Sequence, residues 1–97
     1  MTIDKGLSGH RLTLRVCGRL DTNTSPDLEE ALKMDGVTEV VFDFAGLEYI
    51  SSAGLRVLMM AQRSLAPVGG KVMVAHPNDM VRGVLEMTGL SNVFEIA

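Results

Sequence analysis

Two adjacent serines, Ser51 and Ser52, lie between a strand-like apolar run and a helical apolar run in the segment Asp43 to Leu58. A hydroxyl at such a junction can cap free backbone amides or carry a phosphate. In α/β domains, sites gather at the carboxyl ends of parallel strands. A nucleophilic role would need a base, and His10 and His76, the only histidines, both fall at ordinary loop positions. The serines also lack a Gly-x-Ser-x-Gly elbow, so a Ser-His-Asp hydrolase is not expected and no catalytic residue is assigned. Gly69-Gly70 reads as a turn rather than a phosphate loop, since no Gly-x-x-x-x-Gly-Lys-Ser/Thr occurs. Cys17 is the only cysteine, which excludes an internal disulfide or a cysteine-based zinc site, and neither a metal nor a cofactor is expected.

The elements that must position the serines are legible in the hydrophobic pattern. Leu12, Leu14 and Val16 alternate along Arg11–Cys17 as one buried face of a strand, and Ser8-Gly9 can turn a hairpin back onto residues 2–7. Thr24-Ser25-Pro26-Asp27 predicts a helix start with Ser25 as its cap and Pro26 at the first helical position, the helix running to about Met34. Asp35-Gly36 ends it. Residues 37–44 then carry Val40-Val41-Phe42, a continuous apolar run expected of a central strand covered on both faces.

From Ala53 to about Leu65 the spacing predicts a helix burying Gly54, Val57, Leu58, Ala61 and Leu65, with Ser52, Arg56, Met59 and Arg63 on the opposite face. Lys71–Ala75 reads as a fourth strand. Pro77-Asn78-Asp79 starts a third helix in which Met80, Val81, Val84 and Leu85 recur at helical spacing. Gly89 is its expected C-terminal cap and residues 93–96 form a last short strand. Strands alternating with helices after a hairpin predict an α/β fold: a mixed, mostly parallel five-stranded sheet packed with about three helices.

At 97 residues the chain has room for a single domain with one core. A net charge of −3 with scattered basic residues gives no footprint for nucleic acid or an anionic membrane, so a protein or small-molecule partner is favoured. No signal peptide pattern opens the sequence and no apolar run approaches the ~20 residues of a membrane span, which makes the cytoplasm the default location. With Trp absent and only four other aromatics, Leu, Val, Ile and Met must fill most of the core.

Two blocks, Gly18-Arg-Leu-Asp21-Thr-Asn-Thr24 and Asp43 to Leu58 with its Tyr49-Ile-Ser-Ser-Ala-Gly-Leu55 centre, resemble the STAS domain family, specifically the bacterial anti-sigma factor antagonists. Met87-Thr-Gly-Leu90 and the order of elements extend the resemblance over nearly the whole chain. The resemblance implies a STAS-like fold and a non-enzymatic partner switch. A serine capping the second helix would be phosphorylated by a partner that is both anti-sigma factor and serine kinase, and restored by a phosphatase. Aligning Gly54-Leu55 with the family's Gly-Leu places the acceptor at Ser52, with Ser51, where several members have Asp, as the second candidate. Asp21, Thr24, Ser51, Gly54, Arg56, Met59 and Arg63 are then the expected partner-binding residues. Where many members continue into a final helix, this sequence ends at Ala97, so the usual C-terminal helix is expected to be lacking. The expected state is a monomer or weak homodimer. The rival implied by the same resemblance is a STAS subunit of a lipid-transport ATPase complex or a stress-signalling scaffold.

Overall fold

The computed structural model describes residues 1–33 and 35–96. Strands β1 (Thr2–Ser8) and β2 (Arg11–Leu20) form the antiparallel hairpin, turning at Gly9, whose φ of 61° suits a residue without a Cβ. Strands β3 (Glu39–Asp43), β5 (Lys71–Ala75) and β6 (Glu95–Ile96) add in parallel, giving the order β1-β2-β3-β5-β6. The helices are α1 (Ser25–Ala31), α2 (Ser52–Leu65) and α3 (Asp79–Met87). The mixed sheet with three helices is thus as the sequence predicts.

The structure adds a sixth short strand, β4 (Leu47–Ile50), which pairs in parallel with the far end of β2. It prolongs the β3 side of the ladder along β2. Arg15 pairs with Asp43, Gly18 with Leu47 and Arg19 with Tyr49, so two residues are gained on the β3–β4 side, the second being the unpaired Glu48. Gly46 makes the slip possible, because a Cβ there would meet Cys17 Sγ at 2.5 Å. Cys17 is accordingly half-buried within β2, an interior strand, rather than at a sheet edge.

One face of the sheet is buried. Leu12, Leu14 and Val16 of β2, Val40 and Phe42 of β3, and Val72 and Val74 of β5 enter a common core with Phe44, Val57, Leu58, Val81 and Leu85. Val41 is only half-buried, so β3 alternates and the expectation of cover on both faces is corrected. The helices lie over one side, while ion pairs Arg11–Glu39 (3.2 Å) and Arg15–Asp43 (3.5 Å) link strand neighbours elsewhere on the sheet.

The helix starts differ from expectation at α1. Thr24 is the N-cap residue, and Ser25 is the first helical residue, buried, its hydroxyl donating to the Asp21 carbonyl instead of accepting from helix amides. Pro26 remains in the first turn. The helix ends at Ala31, where the Leu32 amide donates to both the Leu28 and Glu29 carbonyls and tightens the last turn; the expected end at Met34 lies outside the described residues. In α3, Val81 and Leu85 are buried, whereas Met80 is half-exposed and leaves the core stripe. Gly89, at φ 77°, closes α3 and returns Leu90 to the core, as expected.

Candidate functional site

The carboxyl ends of β2 and β4 lie side by side. Leu20 pairs with Ile50, and the next residue of each strand is Asp21 on one side and Ser51 on the other. The Ser51 amide donates to the Leu20 carbonyl at 2.9 Å, which ties the first of the two serines to the Asp21 turn. Arg19 and Tyr49, also register partners, stack with the guanidinium 4.3 Å from the ring centroid.

Ser51, rather than Ser52, caps α2. Its backbone is extended (φ −98°, ψ 176°) and its Oγ accepts from the Gly54 amide at 3.4 Å, while its carbonyl takes the Leu55 amide. Ser52 is the first helical residue. It is exposed, and among the described residues its hydroxyl has no hydrogen-bond partner. The expectation that Ser52 is the cap is therefore corrected by one residue, because the cap must have non-helical backbone and Ser51 is the last residue that does. Both serines still stand at the amide end of a 14-residue helix, where negative charge is favoured.

The first turn of α2 rests directly on the strand ends. A Cβ at Gly54 would meet Leu20 Cγ at 2.8 Å and Ile50 Cγ1 at 2.9 Å, so only glycine permits this approach. Gly54 is buried, and its expected place among partner-facing residues is corrected to that of a spacer. Ser52, Arg56, Met59 and Arg63 form the exposed stripe that the periodicity predicts, with Met59 40% exposed. Among the described residues neither Arg56 nor Arg63 is in an ion pair, which leaves both charges available to an incoming group.

Asp21 and Thr24 tie the turn that follows β2. The Asn23 and Thr24 amides donate to Asp21 Oδ1 at 3.0 and 3.1 Å, the Asp21 amide donates to Thr24 Oγ1 at 2.9 Å, and the Thr24 hydroxyl donates to the Arg19 carbonyl. Desolvation pushes the Asp21 carboxyl up, but the Thr24 amide and hydroxyl, the Asn23 amide and the Arg19 charge outweigh it and hold Asp21 below its ordinary value. The carboxylate is ionised at neutral pH and engaged in its own loop.

Asn78 was legible only as a helix start. Its Oδ1 caps α3 by accepting from the Val81 amide at 2.8 Å, but its Nδ2 also donates to the Leu47 and Glu48 carbonyls of β4, at 3.1 and 3.4 Å. A contact across some thirty residues of sequence has no local signature. His10 and His76 are apart from the serines in the fold: His10 Nδ1 lies 2.9 Å from the Gly36 carbonyl near the hairpin turn, and His76 follows β5 with φ 57°. Among the described residues no cluster of histidine, cysteine or carboxylates could hold a metal ion.

The family model described as "Mlab, STAS domain" matches residues 3–95. BtrV, a candidate anti-sigma factor antagonist of Bordetella bronchiseptica, is 38% identical over 72 residues, covering 73% of this chain and 62% of that protein, so the match spans less than two thirds of the relative. The anti-sigma-B factor antagonist of Listeria monocytogenes is 32% identical over 84 residues, covering 84% of this chain and 74% of that protein. Among solved structures, the Bacillus cell fate determinant SpoIIAA in its phosphorylated form has a TM-score of 0.78 at 21% identity, covering 99% of this chain and 91% of that one.

Proposed function

The chain belongs to the STAS domain family, with anti-sigma factor antagonists among its relatives, and from that premise we propose that it is a phosphorylation-controlled partner switch with Ser52 as acceptor. In the unphosphorylated state it binds an anti-sigma factor that is also a serine kinase, and so frees a sigma factor. Phosphorylated, it releases that partner until a phosphatase restores the hydroxyl. The protein supplies no catalytic group of its own and acts in the cytoplasm as a monomer or weak homodimer; none of the described helices is long and apolar enough to cross a membrane.

The observation that carries this reading is the division of labour between the serines. Ser51 is half-buried and engaged as the cap, whereas Ser52 is exposed at the amide end of α2, its hydroxyl without a hydrogen-bond partner among the described residues. A kinase can reach Ser52 without unfolding the helix start. A phosphate there adds roughly −1.5 to −2 charges beside the positive helix end, worth about 0.3–1 kcal/mol in its favour, so the domain stays folded. Arg56, one turn along, can pair with it.

The effect falls on docking. With Ser52, Arg56, Met59 and Arg63 packed against the partner, Asp21 and Thr24 at the rim, the part of the new charge that Arg56 does not neutralise would be desolvated at the interface. The cost is a few kcal/mol, or about a hundredfold or more in affinity. That is sufficient for a switch.

Phosphosite mapping by mass spectrometry on protein from its native cells, with Ser51 and Ser52 resolved separately, tests the reading. Phosphate on Ser52 that varies with growth condition supports it, as does a Ser52→Asp variant that binds the kinase at least tenfold more weakly than wild type. Phosphate on neither serine in any condition would point instead to a constitutive subunit of a transporter or stress scaffold, with both serines reduced to a helix start.

A further inference from the structure

We infer that Asn78 is a positioning residue that decides which of the two serines is presented to a kinase, an inference that rests on Ser52 being the acceptor. The register of β4 against β2 sets the assignment. Gly18 pairs with Leu47 and Arg19 with Tyr49, so Glu48 is an extra, unpaired residue, a bulge three residues before Ser51. Were Glu48 drawn back into the ladder, the residues up to the first turn of α2 would advance by one position, the extra residue being taken up there because a Cβ does not fit where Gly54 packs. Ile50 would then occupy the cap, and Ser51 would take the exposed first helical position that Ser52 now holds.

Asn78 grips the chain at this bulge. Among the described residues the side of β4 away from β2 has no strand partner, and Asn78 Nδ2 donates to the carbonyls of Leu47 and of the bulged Glu48. The orientation of the amide is fixed by its partners, because the Val81 amide can be met only by Oδ1, which turns Nδ2 towards the two carbonyls. A single side chain therefore ties the start of α3 to the bulge. Serine or aspartate at this position would still cap α3, but serine lacks the reach and the donor pair, and aspartate sets a carboxylate oxygen against two carbonyls.

The test uses full-length Asn78→Ser and Asn78→Asp, each checked for wild-type circular dichroism and cooperative unfolding, and each expressed in the native cells in place of the wild type. Phosphopeptide mapping reads Ser51 and Ser52 separately, and hydrogen exchange on the purified proteins reads the backbone at residues 48–55. The expected result is a loss of Ser52 selectivity, with phosphate moving to Ser51 or falling about tenfold, and exchange about tenfold faster in that segment but not in the β1–β2 hairpin. Folded variants that keep wild-type Ser52 phosphorylation would overturn the inference. If the wild type carries no phosphate, the reading of the acceptor falls, and exchange alone decides the role of Asn78: unchanged protection of residues 48–55 overturns it.

Discussion

Among single residues, the two serines differ in what they hold. Ser51 gives the Gly54 amide its acceptor, so Ser51→Ala is expected to cost about 1 kcal/mol in urea unfolding, within the range of roughly 0.5–2 kcal/mol for a lost cap. Ser52→Ala removes a hydroxyl without a partner among the described residues and should stay within about 0.5 kcal/mol of wild type. The reverse order would return the cap to Ser52. Asp21 adds a pH dependence of definite sign. Its folded-state value is held below the unfolded one, so its stabilisation is present in full above the unfolded value, near pH 4, and is lost as pH falls through the folded value. The difference in unfolding midpoint between wild type and Asp21→Asn should therefore be constant at neutral pH and shrink on acidification below about pH 4. A difference that is flat across that range would mean that the carboxylate charge does not stabilise the turn.

Among the elements, two helical glycines make opposite predictions. Gly54 is pressed between Leu20 and Ile50, and Gly54→Ala must push α2 off the strand ends, at about 1–3 kcal/mol of overpacking that exceeds the gain in helix propensity. A Cβ added at Gly83 in α3 would meet nothing within 4 Å, so Gly83→Ala should stabilise by about 0.5–1 kcal/mol. Thermal melts of the two variants should move in opposite directions. If Gly54→Ala were as stable as wild type, the first turn of α2 would have more room than the Leu20 and Ile50 contacts allow, and the fixed placement of Ser52 would be lost with it. The exposed stripe of α2, by contrast, makes few demands on the fold, which is what permits it to serve docking.

For the molecule as a whole, stability and switching are expected to separate. Ser52→Asp should unfold within about 0.5 kcal/mol of wild type while losing affinity for the kinase, because the added charge faces solvent and the amide end of α2 until a partner covers it. Phe42→Ala should do the reverse. Phe42 is fully buried beside Phe44, ring centroids 5.9 Å apart, and its loss is expected to cost about 3–5 kcal/mol of the roughly 5–15 kcal/mol that holds a domain of this kind. A Ser52→Asp protein that is both unfolded and non-binding would make the switch a stability effect.

The order of elements, the buried face of α2 and the exposed Ser52, Arg56, Met59 and Arg63 stripe all follow from the amino-acid pattern, since periods of 2 and 3.6 residues are local properties of the chain. The pattern also marked the serines, through the blocks around Gly18 and Tyr49 that carry the family resemblance. It placed the cap one residue late and read Val40-Val41-Phe42 as doubly covered, because apolar character does not say which neighbours arrive. Three features came from the packed fold alone: β4 continues the ladder beyond a bulge, Gly54 is a spacer, and Asn78 reaches across to Leu47 and Glu48. They depend on register between segments distant in sequence, and a one-residue shift in register would put Ser51 where Ser52 now stands without altering any local pattern.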